Sequence, residues 1–275
     1  MRHLVFSSLA VAGLTVGFTA AASAADLGRP APAPVYTKAP LAAAPFSWTG
    51  FYAGVNAGYG WGTADADYTS PGPPNGFIPV DQVATSAQGS ADLKPKGFIG
   101  GAQAGYNWQV APSWVLGVET DFQAFALKQS FDGTFTTPVA GPQITHTSIQ
   151  TDWLYTLRGR AGFAIDRLLV YGTGGLAVAD IKFAQSNAYP LFGAPAFNDS
   201  FSLSTTKAGW VAGAGAEYAI TRNWTAKAEY LYVDLGSISG ASTTRGYLNP
   251  GVPVTHSHET DLKANIVRGG VNYKF

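Results

Sequence analysis

The sequence predicts an all-β fold, an eight-stranded antiparallel up-and-down transmembrane β-barrel, and three observations carry that prediction. The first is composition: 46% of the 275 residues are hydrophobic and only 12% are charged, about half the charge of ordinary soluble domains. The second is an apolar/polar period of two that persists for ten residues or more, the length a tilted strand needs to cross a bilayer. The third is a regular alternation of tight and long connections between those segments. No apolar run beyond the first twenty residues is long enough for a membrane-spanning helix, so the hydrophobicity is spread among strands.

Charge and cysteine content narrow the function classes. Seventeen basic residues balance seventeen acidic ones, which excludes the basic excess of a nucleic-acid partner. The absence of cysteine removes disulfides, thiolate metal sites and thiol nucleophiles together.

Taken from the N-terminus, residues 1–24 read as a signal peptide: Arg2 and His3, an apolar stretch over 4–20, then the small-residue box Ala22-Ser23-Ala24. A membrane anchor is the alternative, disfavoured by the short run and the lack of basic residues after it. Residues 25–46 form an Ala/Pro-rich leader suited to extended, solvated backbone in the periplasm, and residues 47–275 the barrel.

Eight strands are expected. In the first, 51–61, Phe51, Ala53, Val55, Ala57, Tyr59 and Trp61 share one face opposite Tyr52, Asn56 and three glycines. The second, 97–110, sets Phe98, Tyr106 and Trp108 against Gln103 and Asn107; the third, 114–126, sets Trp114, Leu116, Val118 and Phe122 against Glu119, Asp121 and Gln123. In the fourth, 149–165, Ile149, Trp153, Tyr155, Leu157 and Phe163 oppose Asp152, Arg158 and Arg160. The fifth, 168–182, has ambiguous parity, with Val170, Leu176 and Val178 assigned outward. The sixth (206–220), seventh (224–235) and eighth (262–275) set Trp210 and Tyr218, Trp224 and Tyr230, and Val267, Val271 and Tyr273 against Glu217, Lys227 with Glu229, and Arg268.

Tight turns at 111–113, 166–167 and 221–223 alternate with segments 63–95, 127–148, 183–205 and 236–261, which are rich in Pro, Gly, Ser and Thr. Four long outer loops and three short periplasmic turns are therefore expected. All seven tryptophans fall at strand ends in this threading, as aromatic girdles require: Trp48, Trp108, Trp114 and Trp224 at the periplasmic side, Trp61, Trp153 and Trp210 at the outer side.

The inward mid-strand charges are Glu119, Asp121, Glu217 and Glu229 against Arg158, Arg160, Lys227 and Arg268. They cancel, and a narrow eight-stranded barrel favours pairing them into a lumen-filling network. A small diffusion pore for ions or hydrophilic solutes is the alternative, since long side chains swing aside.

No catalytic constellation, cofactor site or metal site is expected, and the protein is read as not an enzyme. His146, His256 and His258 fall in the expected loops, where His256 and His258 beside Glu259 read as solvated residues rather than a surface metal site. The glycine clusters at 172–175 and 213–217 are not followed by helices and read as small inward residues, not phosphate loops.

The stretches WTGFYAGVNAGYGWG (48–62), ETDFQ (119–123), DWLYTLRGRAGFA (152–164), TRNWTAKAEYLYVDLG (221–236) and the terminal VRGGVNYKF resemble the small outer-membrane β-barrel (porin-family, opacity-like) proteins of alphaproteobacteria, relatives of the OmpA transmembrane domain. The resemblance implies an integral protein of the cell outer membrane in a Gram-negative envelope, in contact with outer-membrane lipid and lipopolysaccharide. It also implies a structural and surface-interaction role in envelope integrity, with a surface ligand for the long loops. Barrel-assembly machinery would read the last strand through Val271, Tyr273 and Phe275. No peptidoglycan-binding domain is expected after Phe275.

Overall fold

A computed structural model describes residues 46–190 and 197–275. The expected signal peptide and nearly all of the leader lie outside the described residues. Within them are β1 (Gly50–Thr69), α1 (Pro79–Gly89), β2 (Ala91–Leu93), β3 (Lys96–Ala111), β4 (Trp114–Thr137), β5 (Gly141–Ile165), β6 (Leu168–Tyr189), β7 (Phe197–Ala219), β8 (Trp224–Arg245) and β9 (Pro253–Lys274).

Among the described residues there are nine strands, not the eight expected. Every neighbouring pair is antiparallel, and β1 pairs with both β3 and β9, so the sheet closes on itself. The additional strand, β2, is a three-residue piece that pairs with Ala64–Ala66 of β1. Closure leaves no long free edge, the condition under which a sheet survives in lipid.

Side chains alternate as the period-two sequence requires, with Phe51, Phe98, Leu116, Val118, Phe122 and Val267 exposed on the outside of the ring. On β6, Val170 and Leu176 face outward, while Leu169 and Tyr171 are buried.

The connections differ from expectation. A bilayer needs a strand of about 9–11 residues, yet β4 has 24 and β5 has 25. The segments 127–148, 183–205 and 236–261, expected as long loops, are mostly hydrogen-bonded extensions of the barrel strands. The β4–β5 link shrinks to residues 138–140, and the β8–β9 link to 246–252. Between β1 and β2 the chain forms a helix, α1, with Pro79 in its first turn, where a missing N–H costs nothing. Asp81 tethers it by accepting the backbone N–H groups of Val139 at 2.9 Å and Ala140 at 2.8 Å.

One strand changes parity midway. A register shift lies between Gln150 and Leu154 where β5 meets β6, and such a bulge moves every later side chain to the other face. Ile149, expected outward, is therefore buried inside, and Asp152, expected inward, lies on the exterior with Lys182 as its ion-pair partner.

Candidate functional site

The lumen is built in layers, beginning at the end where the tight turns lie. Gly50 adopts a φ of +142°, a conformation glycine reaches without Cβ strain, and the residues before it fold under the barrel end. Trp48, expected in the periplasmic girdle, is instead 1% exposed and packs with Val115, Ala164, Leu169, Tyr171 and Ala219. Its backbone N–H donates to Gln109 Oε1 at 2.9 Å and its indole N–H to the Asp166 carbonyl at 3.2 Å. A tryptophan preceding a strand obeys no strand parity, so the girdle assignment fails for this residue. Trp61, Trp108, Trp114, Trp210 and Trp224 are exposed on the outside, and Trp153 stacks there on Phe122.

Above this apolar floor sits the charge layer. Register places Glu119 opposite Arg158, Glu217 opposite Lys227 and Glu229 opposite Arg268. Arg158 bridges three carboxylates: Glu119 at 2.5 Å, Asp121 at 2.8 Å and Glu229 at 2.9 Å. Arg268 joins Glu229 at 2.6 Å and Asp121 at 2.9 Å, Arg160 joins Glu217 at 2.7 Å, and Lys227 joins Glu119 at 2.8 Å. All eight groups are buried. Lys227 faces Glu217 in register yet bonds Glu119 across the lumen, so the pairing is made between walls as well as along them.

Two tyrosines belong to this layer that the sequence reading did not assign to it. The Tyr52 hydroxyl donates to Glu119 at 2.7 Å and accepts from Arg160 at 3.1 Å, and the Tyr171 hydroxyl donates to Glu229 at 3.1 Å. The Arg160 guanidinium lies 4.4 Å from the Tyr171 ring centre. Glycine makes room for both phenols: a Cβ at Gly105 would lie 2.4 Å from the Tyr52 oxygen and one at Gly215 2.6 Å from that of Tyr171. Gly213 and Gly215 thus face inward as expected, whereas Gly172 and Gly174 share the outward parity of Val170 and Leu176. The signal for Tyr52 was its inward parity on the first strand.

A third layer is apolar. Ile99, Phe125, Leu127, Leu154, Ile181, Leu231, Val233 and Ile266 project inward from successive strands and are buried together. Beyond it the extended strands enclose an outer polar layer. His256 and His258, expected as solvated loop residues, are on β9 and buried, because even-numbered positions of that strand point inward. The Tyr68 hydroxyl meets His256 Nδ1 at 2.5 Å, and His258 meets Gln185 at 2.7 Å and Ser242 at 2.9 Å. Asp199 lies 3.5 Å from His258, and Ser242 donates to it. Burial pushes both imidazoles below the ordinary histidine pKa, opposed by the Asp199 charge. The same desolvation raises the Tyr68 and Tyr189 phenols. Gln185 also donates to the last carbonyl of α1, so the helix lies against the outer end of this layer.

Glu259 is on the exposed face of β9, so it does not converge with the two histidines. His146, also expected in a loop, is on β5 and pairs with Asp132 at 2.6 Å. Among the described residues no group of His, Cys, Asp and Glu is arranged to hold a metal. Val271, Tyr273 and Phe275 are exposed on the outer face of the ring, and the Phe275 N–H donates to the Phe51 carbonyl at 3.0 Å.

Comparison with known proteins shows what the chain is similar to. Residues 10–275 match the family described as "Outer membrane protein beta-barrel domain". The 31 kDa outer-membrane immunogenic protein of Brucella melitensis is 37% identical over 280 residues, covering 100% of both chains. The 25 kDa outer-membrane immunogenic protein of Brucella abortus is 30% identical over 276 residues, covering 100% of this chain and 99% of that one. Among solved structures, OprG of Pseudomonas aeruginosa is similar with a TM-score of 0.39 at 16% identity, covering 84% of this chain and 98% of that one. Ail of Yersinia pestis is similar with a TM-score of 0.36 at 16% identity, covering 82% and 99%.

Proposed function

The chain belongs to the outer-membrane β-barrel family, and we propose that within the outer membrane it is a structural and surface-interaction protein that contributes to envelope integrity and keeps its lumen closed. The observation that carries this reading is the succession of filled layers: the Trp48 floor, the eight paired charges, the apolar layer and the histidine–tyrosine layer. In a channel of this width, opposed charges pair across the lumen and leave no continuous aqueous path. The relatives are named as outer-membrane immunogenic proteins, which supports a role at the cell surface.

In this reading residues 1–24 are removed, the mature chain starts at Ala25, and residues 25–46 form a periplasmic leader. The tight turns face the periplasm, so α1 and the strand extensions face outward as the surface for a ligand. The assembly machinery reads the final strand through Val271, Tyr273 and Phe275, whose exposed apolar side chains alternate along one face.

Planar-bilayer conductance of the refolded mature protein is the deciding experiment. Background-level conductance is expected, together with a band that shifts on boiling because a closed barrel resists detergent. A stable, reproducible conductance would establish the diffusion-pore alternative.

A further inference from the structure

Outside the lumen, the exterior carries a pair of like charges on adjacent strands. Lys96 on β3 and Lys128 on β4 are direct cross-strand partners. Both are exposed, and among the described residues neither has an ion-pair partner within 4.0 Å. Like charges directly opposite one another destabilise a strand pair, and a bound anion converts that cost into two charge-assisted bonds. Beside them lies an outward-facing groove of about 820 Å³ that runs across β4, β5, β6 and β7. Its floor carries the short hydroxyl side chains of Ser130, Ser148, Ser202 and Ser204, and Lys128 and Lys182 stand at its edges. Lys182 is tethered to Asp152, which fixes its ammonium at the rim.

Height is set by the aromatic residues below. Trp153 stacks on Phe122 a few residues beneath Lys128 and Gln150 on the same strands, marking the edge of the hydrocarbon. The lysines and hydroxyls thus lie just beyond the apolar band, level with lipid headgroups. An outer-leaflet headgroup in such a membrane is a phosphorylated sugar, whose phosphates match Lys96 and Lys128 and whose hydroxyls match the serine floor.

We propose that the Lys96–Lys128 pair and the adjoining serine groove bind the phosphorylated sugar headgroup of an outer-leaflet lipid. This rests on the outward orientation proposed above, and the two are tested separately. The mature protein, refolded in detergent, is titrated with bis-phosphorylated lipid A and with its dephosphorylated form, and binding is read by native mass spectrometry. Preference for the phosphorylated form is expected, and K96Q with K128Q should weaken it by about tenfold or more. S148W, which fills the groove while leaving the lysines in place, should weaken it as well. Equal binding of the two lipids, or binding unchanged in these variants, overturns the proposal. So does a protein dimer that the lysine variants abolish without any effect of lipid, since the lysine pair would then serve a second copy. Orientation is read independently by labelling K128C in intact cells with an impermeant maleimide, a reaction made specific by the absence of native cysteine. Failure to label would sink the orientation whatever the lipid titration shows.

Discussion

Two layers of the same lumen bury polar groups by different means. The inner layer uses eight full charges of opposite sign, each within ion-pair distance of at least one partner. The outer one uses two histidines, two tyrosines, an amide and hydroxyls around the single carboxylate of Asp199. Within the membrane a charge that lost its partner would have nowhere to go, so stability there depends on complete pairing. In the outer layer the buried polar groups are mostly uncharged, so hydrogen bonds among them suffice. The difference teaches that one barrel interior is filled in two ways: full ion pairs in the inner layer, hydrogen-bonded imidazoles, phenols and hydroxyls in the outer one.

Breaking the inner layer should have the largest effect. Arg158→Met leaves Glu119, Asp121 and Glu229 short of a shared partner, and the urea midpoint of the refolded barrel should report a loss of about 3–5 kcal/mol. Adding Glu119→Gln should recover part of it, a non-additive cycle that solvated, independent charges would not give. Comparable losses for Arg158→Met and for the outer-layer variant His258→Gln would erase the distinction between the layers.

Next in size is the exterior at membrane depth. Leu116→Arg or Val118→Arg, at positions 45% and 47% exposed to lipid, should cost about 2–4 kcal/mol. The same change at Thr136, exposed at the outer end of β4, should be nearly silent.

Crowding the tyrosine supports should cost less. Gly215→Ala pushes on the Tyr171 phenol and the Ala228 carbonyl, for an expected loss of about 1–3 kcal/mol. Gly215→Ala combined with Tyr171→Phe should be milder than Gly215→Ala alone if the clash is with the hydroxyl.

Acidification should affect the outer layer alone and least of all. His256 and His258 have folded pKa values below the ordinary 6.5, so below pH 6.5 the opened chain binds protons that the folded layer refuses. Stability of this layer is full above pH 6.5 and declines as pH falls through it. The groups facing the two rings are Tyr68, Thr244, Gln185, Ser242, Asp199 and Phe201. Hydrogen exchange of β8 and β9 residues 238–260 should rise on acidification, while exchange around Glu119 stays constant. Replacing both histidines by glutamine should flatten the pH dependence.

Legibility in the sequence followed the solvent. Where one face met lipid and the other met charge, period two was unambiguous, and all eight charges of the inner layer were readable from parity alone. Above the membrane both faces of a strand are polar, so TTRGYLNPGVPVTHSHET offers no contrast and reads as loop although most of it is strand. The buried histidines were lost for that reason. Ile149 and Asp152 were misassigned because a bulge adds a residue without any compositional mark. Trp48 was misassigned because an indole suits a girdle and a plug equally well.

The long strand extensions have a mechanical consequence. A ladder that continues past the membrane holds its side chains at fixed spacing, so with the orientation proposed above the surface presented to the exterior behaves as a stiff sleeve and not as a brush of tethered loops. Antibodies or partners would recognise neighbouring strands together, and short peptides copied from 127–137 or 253–261 would not reproduce that surface. Among the described residues, α1 with its flanking turns and the tips 138–140 and 246–252 lie outside the ladder, and the exposed stretch 249–251 is the place where an inserted tag would leave the sleeve unbroken.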